Sequence, residues 1–176
     1  MILLEDSRQQ VHKHDTKAAY FAEHGIEVHR TKLYTGDYTL PADQSVCVDT
    51  KFCIQELVGD ICGPSHDRFR EELIRAQESN IKLIILVENE FEWVNKKKNI
   101  SNSVITDIDG LFKWINKRSF IWKNGKQLYP NATKGATLAK ACKTMQKKYG
   151  VEFRFCDKRD SGRIILELLG VKTDGK

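Results

Sequence analysis

Asp37 sits in an acidic turn, Gly36-Asp37-Tyr38, and twelve positions later Asp49-Thr50-Lys51 closes the apolar run Val46-Cys47-Val48. Two carboxylates and an ammonium on adjoining strand ends can hold a hard divalent cation and set a water against a phosphodiester. The chemistry such a set supports is phosphodiester hydrolysis. Asp37, Asp49 and the backbone carbonyl of Thr50 would form the cation's cradle. Lys51 would orient or deprotonate the attacking water through a partly desolvated ammonium whose pKa is lowered. Each residue has a plainer reading too: Asp after Gly is common in tight turns, and Lys51 suits a strand edge.

Around this trio stand further candidates. Asp6, ending the first apolar run, is an outer or second-cation acid, the partner of Arg8, or the cap of the next turn. Glu56 is a ligand or a solvated acid on the following helix. Arg8 is a candidate DNA contact, and Arg68 and Arg70 either clamp phosphates or pair with Glu71 and Glu72. Removing one acid from a crowded cluster relieves repulsion, so Asp49→Ala and Lys51→Ala are expected to abolish cleavage and to melt near or slightly above wild type.

The positioning elements follow from periodicity and turn chemistry. Positions 1–5 read as a strand, and a helix runs from 15 or 16 to 23 with Ala18, Ala19, Phe21 and Ala22 as its apolar residues and Gly25 as its stop. A half-exposed strand covers 26–33. Short strands at 38–40 and 46–51 flank a polar hairpin loop, 41–44. A short helix carries Ile54, Leu57, Val58 and Ile61, Gly63-Pro64 breaks it, and a second helix spans 66–79. The nearly all-apolar 81–88 predicts a central strand covered on both faces. Beyond it the rhythm changes: a polar loop at 89–103 with Lys96-Lys97-Lys98, an amphipathic helix at 107–117, and a tight hairpin around Asn124-Gly125. A helix at 134–149, a strand at 151–156 and a helix at 160–169 close the chain.

At 176 residues, without a Gly/Ser- or Pro-rich linker or a repeat, the chain suits one domain, with a core at about 1–88 and 134–170 and an insertion at about 89–133. Thirteen Lys/Arg face only Asp107 and Asp109 between 96 and 148, a local net of +11, so the remainder carries −6 of the chain's +5. With its interleaved aromatics Phe112, Trp114, Phe120, Trp122 and Tyr129, this basic region fits nucleic acid better than membrane, although a lysine-rich solvated surface is the plainer reading. Lys96, Lys97, Lys98, Lys123, Lys126, Lys140, Lys143 and Lys147 are the candidate phosphate contacts, the last three sharing one helical stripe. No signal peptide or membrane span is expected, and a cytoplasmic location is. Five cysteines without a C-x-x-C pair suit buried thiols, and His12-Lys13-His14 does not make a zinc site.

Taken in order, Ile2-Leu3-Leu4-Glu5-Asp6-Ser7-Arg8-Gln9, Gly36-Asp37-Tyr38, Val48-Asp49-Thr50-Lys51, Glu56-Leu57-Val58-Gly59-Asp60-Ile61 and Arg68-Phe69-Arg70-Glu71-Glu72-Leu73 resemble the nuclease domain of the XPF/Mus/Hef structure-specific endonucleases. Each motif is common by chance; five in order at the expected separations are specific. The resemblance covers 1 to about 88 and, more faintly, the closing strand and helix. It implies an α/β restriction-endonuclease-like PD-(D/E)xK core, a central mixed sheet flanked by helices, here with a basic insertion containing a helix and a hairpin. It also implies Mg²⁺, with Mn²⁺ as a substitute, and branched, flap or fork DNA as substrate in recombination, repair or phage replication. Pairing into a homodimer is implied as well. The chain departs from the pattern at Asp49 (usually Glu), Thr50 (Arg), Gln9 (Glu), Asp67 (Gly) and at Glu56, which lies one residue late. Only six residues follow Gly170, so no tandem helix-hairpin-helix segment is seen, and the basic insertion is the expected DNA grip. The alternatives are a catalytically weak DNA-binding or scaffold subunit, and a restriction-type or RNA nuclease on the same core. The compact architecture suits a phage or mobile-element protein.

Overall fold

A computed structural model describes residues 1–10 and 15–172; His12-Lys13-His14 lie outside the described residues. In chain order the core begins β1 (Ile2–Asp6), α1 (Asp15–Glu23), β2 (Glu27–Thr31), β3 (Tyr38–Leu40), β4 (Asp43–Lys51), α2 (Ile54–Cys62), α3 (His66–Glu78) and β5 (Lys82–Asn89). The following region holds β6 (Glu92–Asn95), β7 (Ile100–Asn102), β8 (Trp122–Lys123) and β9 (Lys126–Gln127). It is followed by α4 (Gly135–Tyr149), β10 (Glu152–Asp157) and α5 (Ser161–Leu168). Six strands form one sheet in the order β10-β5-β4-β3-β1-β2. It is mixed: β3 runs antiparallel to both neighbours, and the other pairs are parallel.

β5 lies between two parallel partners, and Leu83 through Val87 are all buried, which explains its unbroken apolar run. Alternation along the strands divides the core. Cys47, Leu83, Ile85 and Val87 face α2, α3 and α4 through Leu57, Leu73 and Leu138. Val48, Ile84 and Leu86 face Phe21 of α1 and Ile165 and Leu166 of α5. Since Asp49 and Lys51 continue the Cys47 alternation, the pleat directs them to the α2/α3 side.

Three expectations are corrected. First, α1 buries Lys17 and Phe21, whereas Ala18, Ala19 and Ala22 are exposed. Lys17 Nζ forms a buried ion pair with Glu88 of β5. Second, the loop expected at 89–103 contains the antiparallel pair β6 and β7, with Lys96–Lys98 as a 3₁₀ turn between them. Third, 107–117 is not an α-helix but a 3₁₀ turn, Asp109–Lys113, leading into extended chain, with a second turn at Lys117–Phe120. The cause lies outside the segment. Asn102 Nδ2 donates to Ile115 O and Ile115 N donates to Asn102 Oδ1, each at 2.8 Å, so an amide side chain holds this stretch as a strand partner would. Leu111 and Trp114 of the same stretch join the α2/α3/α4 core cluster, so this region packs into the core on that side. The expected hairpin is present: Asn124 (φ 51°) and Gly125 (φ 73°) occupy the two left-handed positions of its turn. Cys47, Cys142 and Cys156 are buried, and all five cysteines are free thiols. Among the described residues no helix is long and apolar enough to cross a membrane.

Candidate active site

The turn that presents Asp37 is pressed against β4. Gly36 takes φ +70°, and a Cβ there would stand 3.0 Å from Cys47 Cβ and 3.3 Å from Val48 O. Only glycine meets both conditions without strain. Asp37 N donates to Val48 O and Asp6 N donates to Asp37 O, both at 2.8 Å, which pins the turn between β1 and β4. Asp37 Oδ2 then accepts from both Thr50 N and Thr50 Oγ1 at 2.7 Å. Thr50 therefore contributes its amide and hydroxyl as the groups that aim Asp37.

On the α2/α3 side of β4, Asp49 and Lys51 are 6% and 7% exposed. Lys51 Nζ lies 2.7 Å from Asp49 Oδ2, 2.9 Å from Asp60 Oδ2 and 5.0 Å from the centre of the Phe69 ring. Although the ammonium is close, Asp49 Oδ2 is closed to solvent and receives no aligned hydrogen bond. The contact is an ion pair in which the Lys51 ammonium is that oxygen's partner. Burial is the largest influence on the Asp49 carboxyl and pushes its pKa well above the usual carboxylate range. Lys51 lowers it, and the neighbouring Asp37 and Glu72 charges raise it further. Burial works to lower the Lys51 pKa, but Asp49 and Asp60 outweigh it and hold the ammonium above its ordinary value. Of the two, Asp49 contributes the more and Asp60 the second share. The expectation of a lowered Lys51 pKa is therefore corrected: two buried carboxylates favour the charged form more than burial disfavours it.

Asp60 was missed in the sequence reading. Its signal was an acid on the buried stripe of α2, between Leu57 and Ile61, where the helix has no reason to place one unless a cation meets it. Glu72 was weighed only as an arginine's partner. Its Oε1 accepts from Gly36 N at 3.1 Å and from Thr35 Oγ1 at 3.3 Å, so α3 braces the turn carrying Asp37.

The other candidates resolve by partner. Asp6 is 2% exposed and is occupied by Arg8, which donates its amide at 2.8 Å and its guanidinium to the carboxylate. Burial raises the Asp6 pKa, but the Arg8 hydrogen bonds more than offset that, and the carboxyl titrates below its ordinary range. Arg8 also reaches Leu33 O, so the pair braces the strand ends. Glu56 Oε2 accepts from Phe52 N at 2.7 Å and caps the entry to α2.

Asp6, Arg8, Asp37, Asp49, Thr50, Lys51, Glu56 and Arg68 line one cleft of about 550 Å³, joined by Asp60, Glu72 and Arg75. Arg75 is a second cation the sequence reading passed over; Arg70 is exposed on α3 and does not line the cleft. The lysines of the basic region are also away from it. Lys96, Lys97 and Lys98 lie in the 3₁₀ turn between β6 and β7, and Lys123 and Lys126 in the β8 and β9 hairpin. Lys140, Lys143 and Lys147 are exposed on α4, with Lys143 paired to Asp109 at 2.6 Å.

A hard cation suits this cleft. Asp37 and Asp49 are the carboxylates able to hold it: both line the cleft, and the Asp37 charge is near enough to disfavour ionisation of Asp49, the repulsion that a cation between them would relieve. Among the described residues, no three His, Cys, Asp or Glu side chains converge as a ready cage, so for a cation held here the remaining coordination would fall to backbone, water and substrate oxygens.

The same architecture occurs in solved structures. XPF from Aeropyrum pernix superposes with a TM-score of 0.60 at 16% identity, covering 96% of this chain and 63% of that one. XPF from Aeropyrum pernix in complex with DNA gives a TM-score of 0.58, again at 16% identity with 96% and 63% covered. This chain thus spans under two thirds of those proteins, and at such identity the likeness is one of fold. No curated protein matches at the level of sequence. The model of the ERCC4 domain matches residues 6–168, from the last residue of β1 to the last of α5, and on that match the chain belongs to the ERCC4 domain family.

Proposed function

We propose that this chain is a metal-dependent DNA endonuclease that hydrolyses phosphodiesters in branched DNA or DNA with single-stranded segments, in repair, recombination or phage replication. The observation carrying the reading is the meeting of Asp37, Asp49 and a buried, charged Lys51 in one cleft on an ERCC4-domain fold. That one superposing structure is a complex with DNA favours DNA over RNA. Asp37 and Asp49 would hold Mg²⁺ or Mn²⁺, with the Thr50 carbonyl as the proposed third donor, and the bound ion would supply Lewis acidity to the scissile phosphate. Lys51 keeps its proton at Nζ. Its part is to donate hydrogen bonds to the attacking water or to a phosphate oxygen and to offset developing charge, not to accept a proton. Arg68 and Arg75 on the cleft wall are placed to bind substrate phosphates. Asp6 and Glu56 act on the framework, through Arg8 and the α2 entry respectively.

The proposal includes a single domain with its core at about 1–88 and 134–170, a cytoplasmic location consistent with five free thiols, and a homodimer testable by sedimentation. Incubation with labelled fork, flap, four-way-junction and linear DNA, in Mg²⁺, Mn²⁺ or EDTA, tests the activity. Cleavage of a branched substrate in either metal and none in EDTA is expected. Binding without cleavage in every metal would replace this reading with that of a scaffold subunit.

A further inference from the structure

A second cleft, of about 620 Å³, opens beside the acidic one. Its apolar wall carries Phe91 and Trp93, 53% and 39% exposed, with ring centres 5.4 Å apart and planes nearly perpendicular. Large aromatics left open to water beside a cavity require a ligand with a flat apolar face, or they remain an aggregation hazard. Four cations line the same cleft: Lys96, Lys117, Arg118 and Lys158. Two are matched by acids, Lys117 with Glu92 and Lys158 with Glu90, each at 3.0 Å. Lys96 and Arg118 remain as surplus positive charge at the cleft, and Lys97 and Lys98 adjoin Lys96. Apolar rings with a surplus of cations match a polyanion whose bases are unpaired. A duplex keeps its base faces stacked inside, whereas a single strand offers each face to an aromatic ring whatever its sequence.

The two clefts adjoin at Phe52. Phe52, next after Lys51, lines the acidic cleft, and the Lys158 ammonium of the second cleft lies 3.9 Å from its ring centre. Cys53 and Ile54 already line the second cleft. A strand leaving a phosphate beside Lys51 over Phe52 would enter the second cleft.

We propose that the cleft between Phe91, Trp93, Lys96 and Arg118 receives the unpaired arm of a branched nucleic acid, stacking its bases on Phe91 and Trp93. This rests on the nuclease reading for what occupies the acidic cleft, and it assigns substrate choice to residues outside the catalytic set. It is tested by fluorescence anisotropy in EDTA, where nothing is cleaved, using the whole chain with a labelled oligothymidylate and a labelled blunt duplex. Phe91→Ala/Trp93→Ala is expected to weaken oligothymidylate binding by about tenfold or more and duplex binding by less than about twofold. Phe91→Tyr/Trp93→Phe keeps most of the affinity, because a ring is retained. Tyr34→Ala, which removes a 60% exposed ring outside the basic region and away from both clefts, leaves both unchanged. If the alanine variant does not melt cooperatively, Arg118→Glu serves in its place, with the same selective loss expected.

Equal losses on both DNAs, no loss on the single strand, an equal loss for Tyr34→Ala, or no measurable oligothymidylate binding by wild type at low salt each overturns the proposal. Failure of the nuclease reading shows separately, as absence of metal-dependent cleavage by wild type, and does not enter this binding measurement.

Discussion

Replacing Lys51 with alanine removes the one cation between Asp49 and Asp60 and leaves two carboxylates facing each other in the interior. All three side chains are under 10% exposed, so solvent screening does little to reduce the effect. Breaking a buried pair from one side typically costs about 3–5 kcal/mol, because the surviving charge is stranded. In a domain of this size each kcal/mol shifts Tm by about 2–4 °C, so the variant should melt about 6–20 °C below wild type. This differs from the sequence-based expectation of a Tm near or slightly above wild type, which treated the cluster as acids alone. Asp49→Asn should do the opposite, since Lys51 keeps Asp60 and a carboxyl that burial disfavours is gone. The pH dependence separates the two further. The folded-state pKa of Asp49 lies above its ordinary 3.8, so its stabilising contribution is complete below that value and is lost as pH rises through the folded pKa. The gain of Asp49→Asn over wild type should therefore grow from about pH 4 to about pH 7. Circular-dichroism melts of the three proteins across that range measure this, and a cleavage assay should find both variants inactive. A Lys51→Ala variant melting within about 2 °C of wild type, or an Asp49→Asn variant falling as far as it, would refute the buried bridge as the site's electrostatic centre.

Three further outcomes are expected. Lys17→Met strands Glu88 in the core and should cost about 3–5 kcal/mol in urea unfolding, while Lys17→Met/Glu88→Leu should recover most of it. Gly36→Ala forces a side chain into a left-handed turn against Cys47 and should cost at least about 1–2 kcal/mol; moving Asp37, it should lower kcat/KM for a cleavable DNA more than it weakens DNA binding in EDTA. Neutralising Lys96, Lys97, Lys98, Lys140 and Lys147 should flatten the dependence of log K on log salt by about 0.9 for each duplex phosphate that is no longer neutralised, whereas Lys143, engaged with Asp109, should contribute less than its neighbours; equal effects from lysines elsewhere would reduce this surface to a solubilising one.

Short-range physics was legible in the residues themselves. The apolar run of β5 requires cover on both faces, the Gly36-Asp37 turn requires a left-handed glycine, and Asn124-Gly125 requires a tight hairpin. Each signal is complete within a few positions. The pairing of Asp37 with the Asp49-Thr50-Lys51 strand was also readable, because β3 and β4 are joined by a short turn. What lay beyond reach depended on groups far apart in the chain and close in space. Asp60 became part of the site only when α2 packed on β4. The charge state of Lys51 followed from that neighbour and could not be inferred from burial alone. The amphipathic spacing at 107–117 suits a helix in isolation, yet Asn102 supplies backbone partners that make an extended chain the better-satisfied state. The aromatic cleft is assembled from α2, the β6 and β7 hairpin, the 114–121 stretch and Lys158, and no local pattern announces it. Turns and periodicity arise from steric and hydrogen-bonding rules that act between near neighbours, whereas a carboxylate's proton, a lysine's charge and a cavity's lining are set by through-space burial and Coulomb forces that exist only once the sheet has closed.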